Sequence, residues 1–138
     1  MILLKDVNYE ESKTKLTTEI IRKNVVEDGI TQVELKFVLN FGFGSVSRNI
    51  TWTNYDIETV LSQIENIDGV GEISALEPDL SFFYTEVEQD QYLLYVDLDA
   101  GVINSNMGTE SGVSLKMQIK KDDLLKWINE IDASVKRA

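Results

Sequence analysis

The sequence predicts an α+β domain: an antiparallel, meandering sheet with one central and one C-terminal helix packed on one face. Three observations carry this. Apolar residues alternate at a spacing of two in several separate stretches, they recur at helical spacing in two others, and the strand connections are short. With 138 residues, 43% hydrophobic and 27% charged, the chain fits a single domain over 1–138 that buries a core without disulfide or metal support.

Taken in order, TKLTTEIIR (14–22) alternates loosely as a strand. VELKFVLNF (33–41) does so clearly, with Val33, Leu35, Phe37, Leu39 and Phe41 on one side and Glu34, Lys36 and Asn40 on the other. The GFG at 42–44 breaks the run, and SVSRNITWT with Val46, Ile50 and Trp52 in phase completes a hairpin. Thr53 or Asn54 then caps a helix whose first turn holds Asp56 and whose apolar side is Ile57, Val60, Leu61, Ile64 and Ile67, with Gly69 as its stop. GVGEISALEP, LSFFYTEV and YLLYVDLDA read as three further strands, the last two joined by the tight turn EQDQ, and Pro78 marks a strand start or bulge. INSNMGTESG is a polar loop. Val113, Leu115, Met117 and Ile119 form another strand, and KDDLLKWINEIDASVKRA a final helix capped by Asp122, with Leu124, Leu125, Trp127, Ile128, Ile131 and Val135 buried. Trp52 and Trp127 are both core.

Absent residue types restrict the chemistry. With no His and no Cys, zinc sites, Ser-His-Asp or Cys-His nucleophiles and histidine acid-base pairs are excluded, leaving carboxylate, lysine and tyrosine chemistry with an oxygen-bound divalent cation. No apolar run has the length of a membrane span, and MILLKDVNYEESK lacks the apolar core of a secretion signal, so a cytoplasmic protein is expected.

Charge is distributed very unevenly. The net charge is −11; residues 1–53 hold 7 acidic and 7 basic side chains, residues 54–110 hold 13 acidic and none basic, and residues 111–138 hold 4 acidic and 6 basic. Such a middle segment repels nucleic acid, whose recognition needs a basic stripe, and attracts a basic protein. Asp97 and Asp99 form a D-x-D pair of shared strand parity, facing away from Leu94, Val96 and Leu98 and alongside Tyr95. Two carboxylates alone leave a hard cation short of ligands. An acidic sheet face is therefore favoured over a metal site, and no cofactor is expected. Asp28 with the ELK at 34–36 matches a metal-nuclease set only loosely, and the net charge opposes a nucleic-acid substrate. Phe82, Phe83, Tyr84, Tyr92 and Tyr95 crowd the hairpin whose tip carries Glu86, Glu88 and Asp90.

The succession VELKFVLNFGFG, ITWTNYDIETVLSQIENI, ISALEPDLSFFYTEVEQDQYLLYVDLDAG and IKKDDLLKWINEI, with its EPDLSF strand entry and DLLKWI helix, resembles the WapI-type immunity proteins of bacterial polymorphic toxin systems over roughly residues 14–132. The resemblance implies a small cytoplasmic protein that acts by binding, not catalysis, on the C-terminal toxin domain of a large secreted or surface protein, typically a nuclease. It transfers no site residues. From the charge and the aromatics, the candidate partner-binding residues are Glu86, Glu88, Asp90, Tyr95, Asp97 and Asp99. A carboxylate-based divalent-metal enzyme centred on Asp97 and Asp99, and an acidic structural or regulatory module, are the alternatives.

Overall fold

The computed structural model describes residues 1–99 and 112–138, with the side chain of Asp99 outside the described set. The chain runs β1 (Ile2–Lys5), α1 (Tyr9–Ser12), β2 (Thr14–Glu27), β3 (Ile30–Phe41), β4 (Ser45–Thr53), α2 (Asn54–Glu65), β5 (Val70–Ser74), β6 (Leu80–Glu88), β7 (Gln91–Asp99), β8 (Gly112–Lys120) and α3 (Lys121–Arg137). The α+β class and the C-terminal helix are as the periodicity predicts. The strands, however, divide into two four-stranded antiparallel sheets, β1-β2-β3-β4 and β5-β6-β7-β8. α2 starts immediately after β4, and the strands that follow it pair only with one another.

The inner faces of both sheets and the buried stripes of α2 and α3 make one continuous hydrophobic cluster. Leu4, Leu16, Leu35, Phe37, Leu39, Ile50 and Trp52 come from the first sheet; Ile73, Leu80, Phe82, Tyr84, Tyr92, Leu94, Val96, Leu98, Leu115, Met117 and Ile119 come from the second. Trp127 of α3 joins the two. It is 1% exposed, its indole N–H donates to Thr18 Oγ1 of β2 at 3.2 Å, and its ring meets Phe82 of β6 edge-on at 5.6 Å. Removing so large a buried side chain costs about 3–5 kcal/mol in comparable cores.

The start of α2 is a second junction. Thr53 is its N-cap, and Thr53 and Asp56 form a reciprocal capping box. Asp56 is buried, yet its carboxylate is satisfied: Oδ2 accepts from the Thr53 N–H at 2.9 Å and from the Thr53 hydroxyl at 3.2 Å, and Oδ1 accepts from the Leu76 N–H at 2.9 Å. One side chain thus caps the helix and pins the β5–β6 connection to it.

Four details depart from the sequence reading. The first is β1 and α1, too short to show a period; Asp6 staples them to the second sheet by accepting from the Gln118 N–H at 2.8 Å and from the Ser12 hydroxyl at 2.8 Å. Second, β2 and β3 run on to an Asp28-Gly29 turn, with Gly29 at φ 81. The mixed charges of residues 22–32 hide this extension. Third, α2 ends at Glu65 with Asn66 as its C-cap, and Gly69 lies further along at φ 63. Fourth, α3 is not capped by Asp122: Lys120 holds the N-cap position without a side-chain bond, and Asp122 and Asp123 sit in the first turn, where the helix dipole favours carboxylates. Gly42, at φ 90, is required at the β3–β4 turn because a Cβ there would lie 2.7 Å from the Ser12 carbonyl.

Candidate functional site

The second sheet has one face in the core and one face that no described element covers. Register fixes its composition. Across β5-β6-β7-β8, Glu72, Phe83, Tyr95 and Lys116 form one row, Ser74, Ser81, Asp97 and Ser114 the row beside it, and Val70, Thr85, Leu93 and Gln118 the row on the other side. The alternation predicted for β7 holds: Tyr92, Leu94, Val96 and Leu98 are buried, while Leu93, Tyr95 and Asp97 are half-buried on the outer side. At the centre the Phe83 and Tyr95 rings lie 6.3 Å apart at 59°. Phe83 and Val70 are exposed apolar residues, and Glu72 flanks them on β5. An aromatic pair with Glu72 and Asp97 as neighbours, and Lys116 beside Tyr95 on β8, is the composition of a protein-binding surface more than of a solvated sheet back.

The six residues proposed from sequence do not share this face. Tyr95 and Asp97 lie on it. Asp99 ends β7 opposite Gly112, and its side chain lies outside the described residues, as does the predicted polar loop apart from its last residue. Glu86 pairs with Tyr92 and so has inner-face parity, but it sits beyond the core and is exposed. Burial first, and then the carboxylates of Glu86, Asp68 and Asp90, hold the Tyr92 phenol above its ordinary range. That phenol donates to the Ile67 carbonyl at 3.3 Å. Asp90 occupies the turn at φ 61, a left-handed conformation that Asp tolerates, and its carbonyl accepts from the Lys121 N–H. Glu88 stands at the tip after a bulge that displaces Val87. The candidates thus fall into an aromatic-acidic face and an acidic hairpin end.

Three members of these groups were not candidates from the sequence: Phe83, Glu72 and Asp68. Continuing the β7 parity across the hairpin would have given Phe83 and Glu72. Asp68 arrives through space from the end of α2, and no spacing in the chain announces it. Of the crowded aromatics, Phe82, Tyr84 and Tyr92 are core, and Phe83 and Tyr95 face outward.

The middle segment lacks basic residues of its own, and the structure supplies one from β4. Arg48 reaches Asp79 at 2.8 Å across the seam between the sheets. Beside it, Glu77 Oε1 accepts from the Asp79 N–H at 2.9 Å, whereas its Oε2 is buried with no hydrogen-bond partner among the described residues. Burial, together with the neighbouring Asp79 charge, raises the Glu77 carboxyl above its ordinary value despite the Asp79 amide and Arg48. Among the described residues no group of three or more Asp or Glu side chains is arranged to hold a metal ion, and no helix is long and apolar enough to cross a membrane.

No protein-family model matches this chain, no curated protein matches it, and no solved structure matches it. Function is therefore read from the chain's own surface.

Proposed function

We propose that this chain is a cytoplasmic, non-enzymatic immunity protein of the WapI-like kind, binding and neutralising a basic toxin domain of the nuclease class through the outer face of its second sheet. One observation supports this most: Phe83, exposed, and Tyr95, half-buried, stand adjacent on an uncovered sheet face, next to Asp97 and Glu72, in the half of the chain that has no basic residue between Arg48 and Lys116. In such an interface the aromatic pair sets residence time and the surrounding carboxylates accelerate encounter, which makes association sensitive to salt. The same charge disfavours nucleic acid as a direct ligand.

The test is capture of the tagged protein's partner from lysate of its source organism at low and high salt, repeated with Tyr95→Ala and Asp97→Lys. Recovery of a basic C-terminal toxin fragment whose activity the protein suppresses, with capture lost in both variants, supports the proposal. A partner retained equally by the variants, or one whose capture salt does not weaken, overturns it.

A further inference from the structure

The outer face of the first sheet carries a cluster of cations where β1, α1 and β2 meet. Strand pairing sets Lys5 directly opposite Lys15, and because the flanking Leu4 and Leu16 lie in the core, both lysines face outward. Like charges placed opposite one another weaken a ladder. Lys13 joins them from the C-cap of α1, where it holds a left-handed φ of 53, a conformation costly for a residue other than glycine. All three ammoniums stand over one ring, that of Tyr9: Lys5 Nζ lies 4.8 Å from its centroid, and the Nζ atoms of Lys13 and Lys15 each lie 5.5 Å from it. The ring attracts cations through its quadrupole, but it has no charge with which to neutralise three of them.

The neighbouring carboxylates leave most of this charge uncompensated. Glu10 approaches Lys13 at 3.7 Å, but the two side chains are 91% and 54% exposed, and an exposed pair of this kind contributes little. Asp6 is directed elsewhere, accepting from the N–H groups of Gln118 and Asn8 and from the Ser12 hydroxyl. Glu11 is exposed and forms no ion pair, and neither Lys5 nor Lys15 meets a carboxylate among the described residues. The hydroxyl of the half-buried Tyr9 likewise has no hydrogen-bond partner among the described residues. Three charged donors and one neutral donor therefore gather around one ring, with a single loosely held carboxylate between them.

We propose that Lys5, Lys13, Lys15 and the Tyr9 hydroxyl bind a small, multiply charged oxyanion of the phosphate class. Charge selects the class: a carboxylate brings one negative charge to three ammoniums, whereas a phosphate monoester brings about two, with three strong acceptor oxygens, and a diphosphate brings more. The net charge of −11 does not oppose this locally, because residues 54–110 hold the excess and residues 1–53 balance at 7 acidic and 7 basic groups, and at physiological ionic strength fields are screened beyond about 8 Å. The same excess repels a long polyanion, so a small anion and not a nucleic-acid strand is the ligand. The site lies on the other sheet from the proposed toxin-binding face and stands independently of that reading.

Calorimetric titration of the full chain with inorganic pyrophosphate at low salt tests this. The expected result is saturable one-to-one binding that added salt weakens and that raises the melting temperature. The Lys5→Gln, Lys15→Gln double variant, with unchanged circular dichroism, is expected to lose about tenfold or more in affinity, and Tyr9→Phe, which keeps the ring, to lose less in the same direction. Lys36→Gln, further along the same face opposite Glu19, should bind as wild type does. A single-stranded oligonucleotide titrated in place of pyrophosphate should not bind. Absence of saturable pyrophosphate binding, affinity unchanged in the double variant, an equal loss in Lys36→Gln, or tighter binding of the oligonucleotide than of pyrophosphate overturns the proposal.

Discussion

The two sheets are alike inside and opposite outside. Their inner faces use the same vocabulary of Leu, Ile, Val and aromatic residues, and they merge in one core. Outside, the first sheet is balanced and, beyond the lysines around Tyr9, self-satisfied, as in the Arg22–Glu34 cross-strand pair at 2.7 Å and the Asn49 amide donating to the same carboxylate at 3.2 Å. The second has Phe83 and Tyr95 flanked by Glu72 and Asp97, with Lys116 on β8 beside Tyr95, and its Asp79 is paired by Arg48 of the first sheet. Folding is thus a property that the halves share, and outer-face chemistry one that they divide.

The sharpest way to break this comparison is at the residue that belongs to both halves. Trp127→Ala is expected to lower stability by about 3–5 kcal/mol, with far-UV and near-UV signals lost in one coincident denaturant transition; separate transitions for the two sheets would show that the core is not shared. Next is Asp56→Ala, which removes the N3 half of the α2 capping box and strands the Leu76 N–H. A loss of about 2 kcal/mol is expected from urea unfolding, and Asp56→Asn should recover part of it. The outer faces are compared by charge reversal. Once the basic partner is in hand, Asp97→Lys should slow its association about tenfold or more at low salt, whereas Glu34→Lys on the first sheet should leave the rate near wild type.

The smallest effect lies at the seam. Because the folded state holds the Glu77 proton more tightly than the unfolded chain does, its contribution is full below the unfolded value and is lost as pH rises through the raised one. Glu77→Gln should therefore melt higher than wild type at neutral pH, with the difference fading on acidification toward the ordinary carboxylate range. A difference that grows on acidification would contradict the assignment.

Much of this molecule was legible in its sequence, for local reasons. Period-two alternation in 33–41 and 92–98 and the Thr53/Asp56 spacing report directly on burial and capping, and each appears where it was read. The division into two sheets was not legible, because alternation reports which face of a strand is buried and not which strand lies beside it. The site divided along the same line. Tyr95 and Asp97 follow from strand parity, whereas the gathering of Glu86 and Asp90 with Asp68 round Tyr92 depends on where a helix ends in space. Asp6 shows the same limit: nothing near it in the chain hints that its partner is Gln118.

The bonds from Trp127 to Thr18, from Lys23 to Val135 and from Gln118 to Asp6 each link residues more than a hundred positions apart. The four strands of the first sheet are complete by Thr53, and α2 covers the β3–β4 side of their inner face, yet the β1–β2 side waits for the last helix. Chains whose key contacts close such long loops fold slowly, and during synthesis this one carries an uncovered β1–β2 edge of its core until α3 leaves the ribosome.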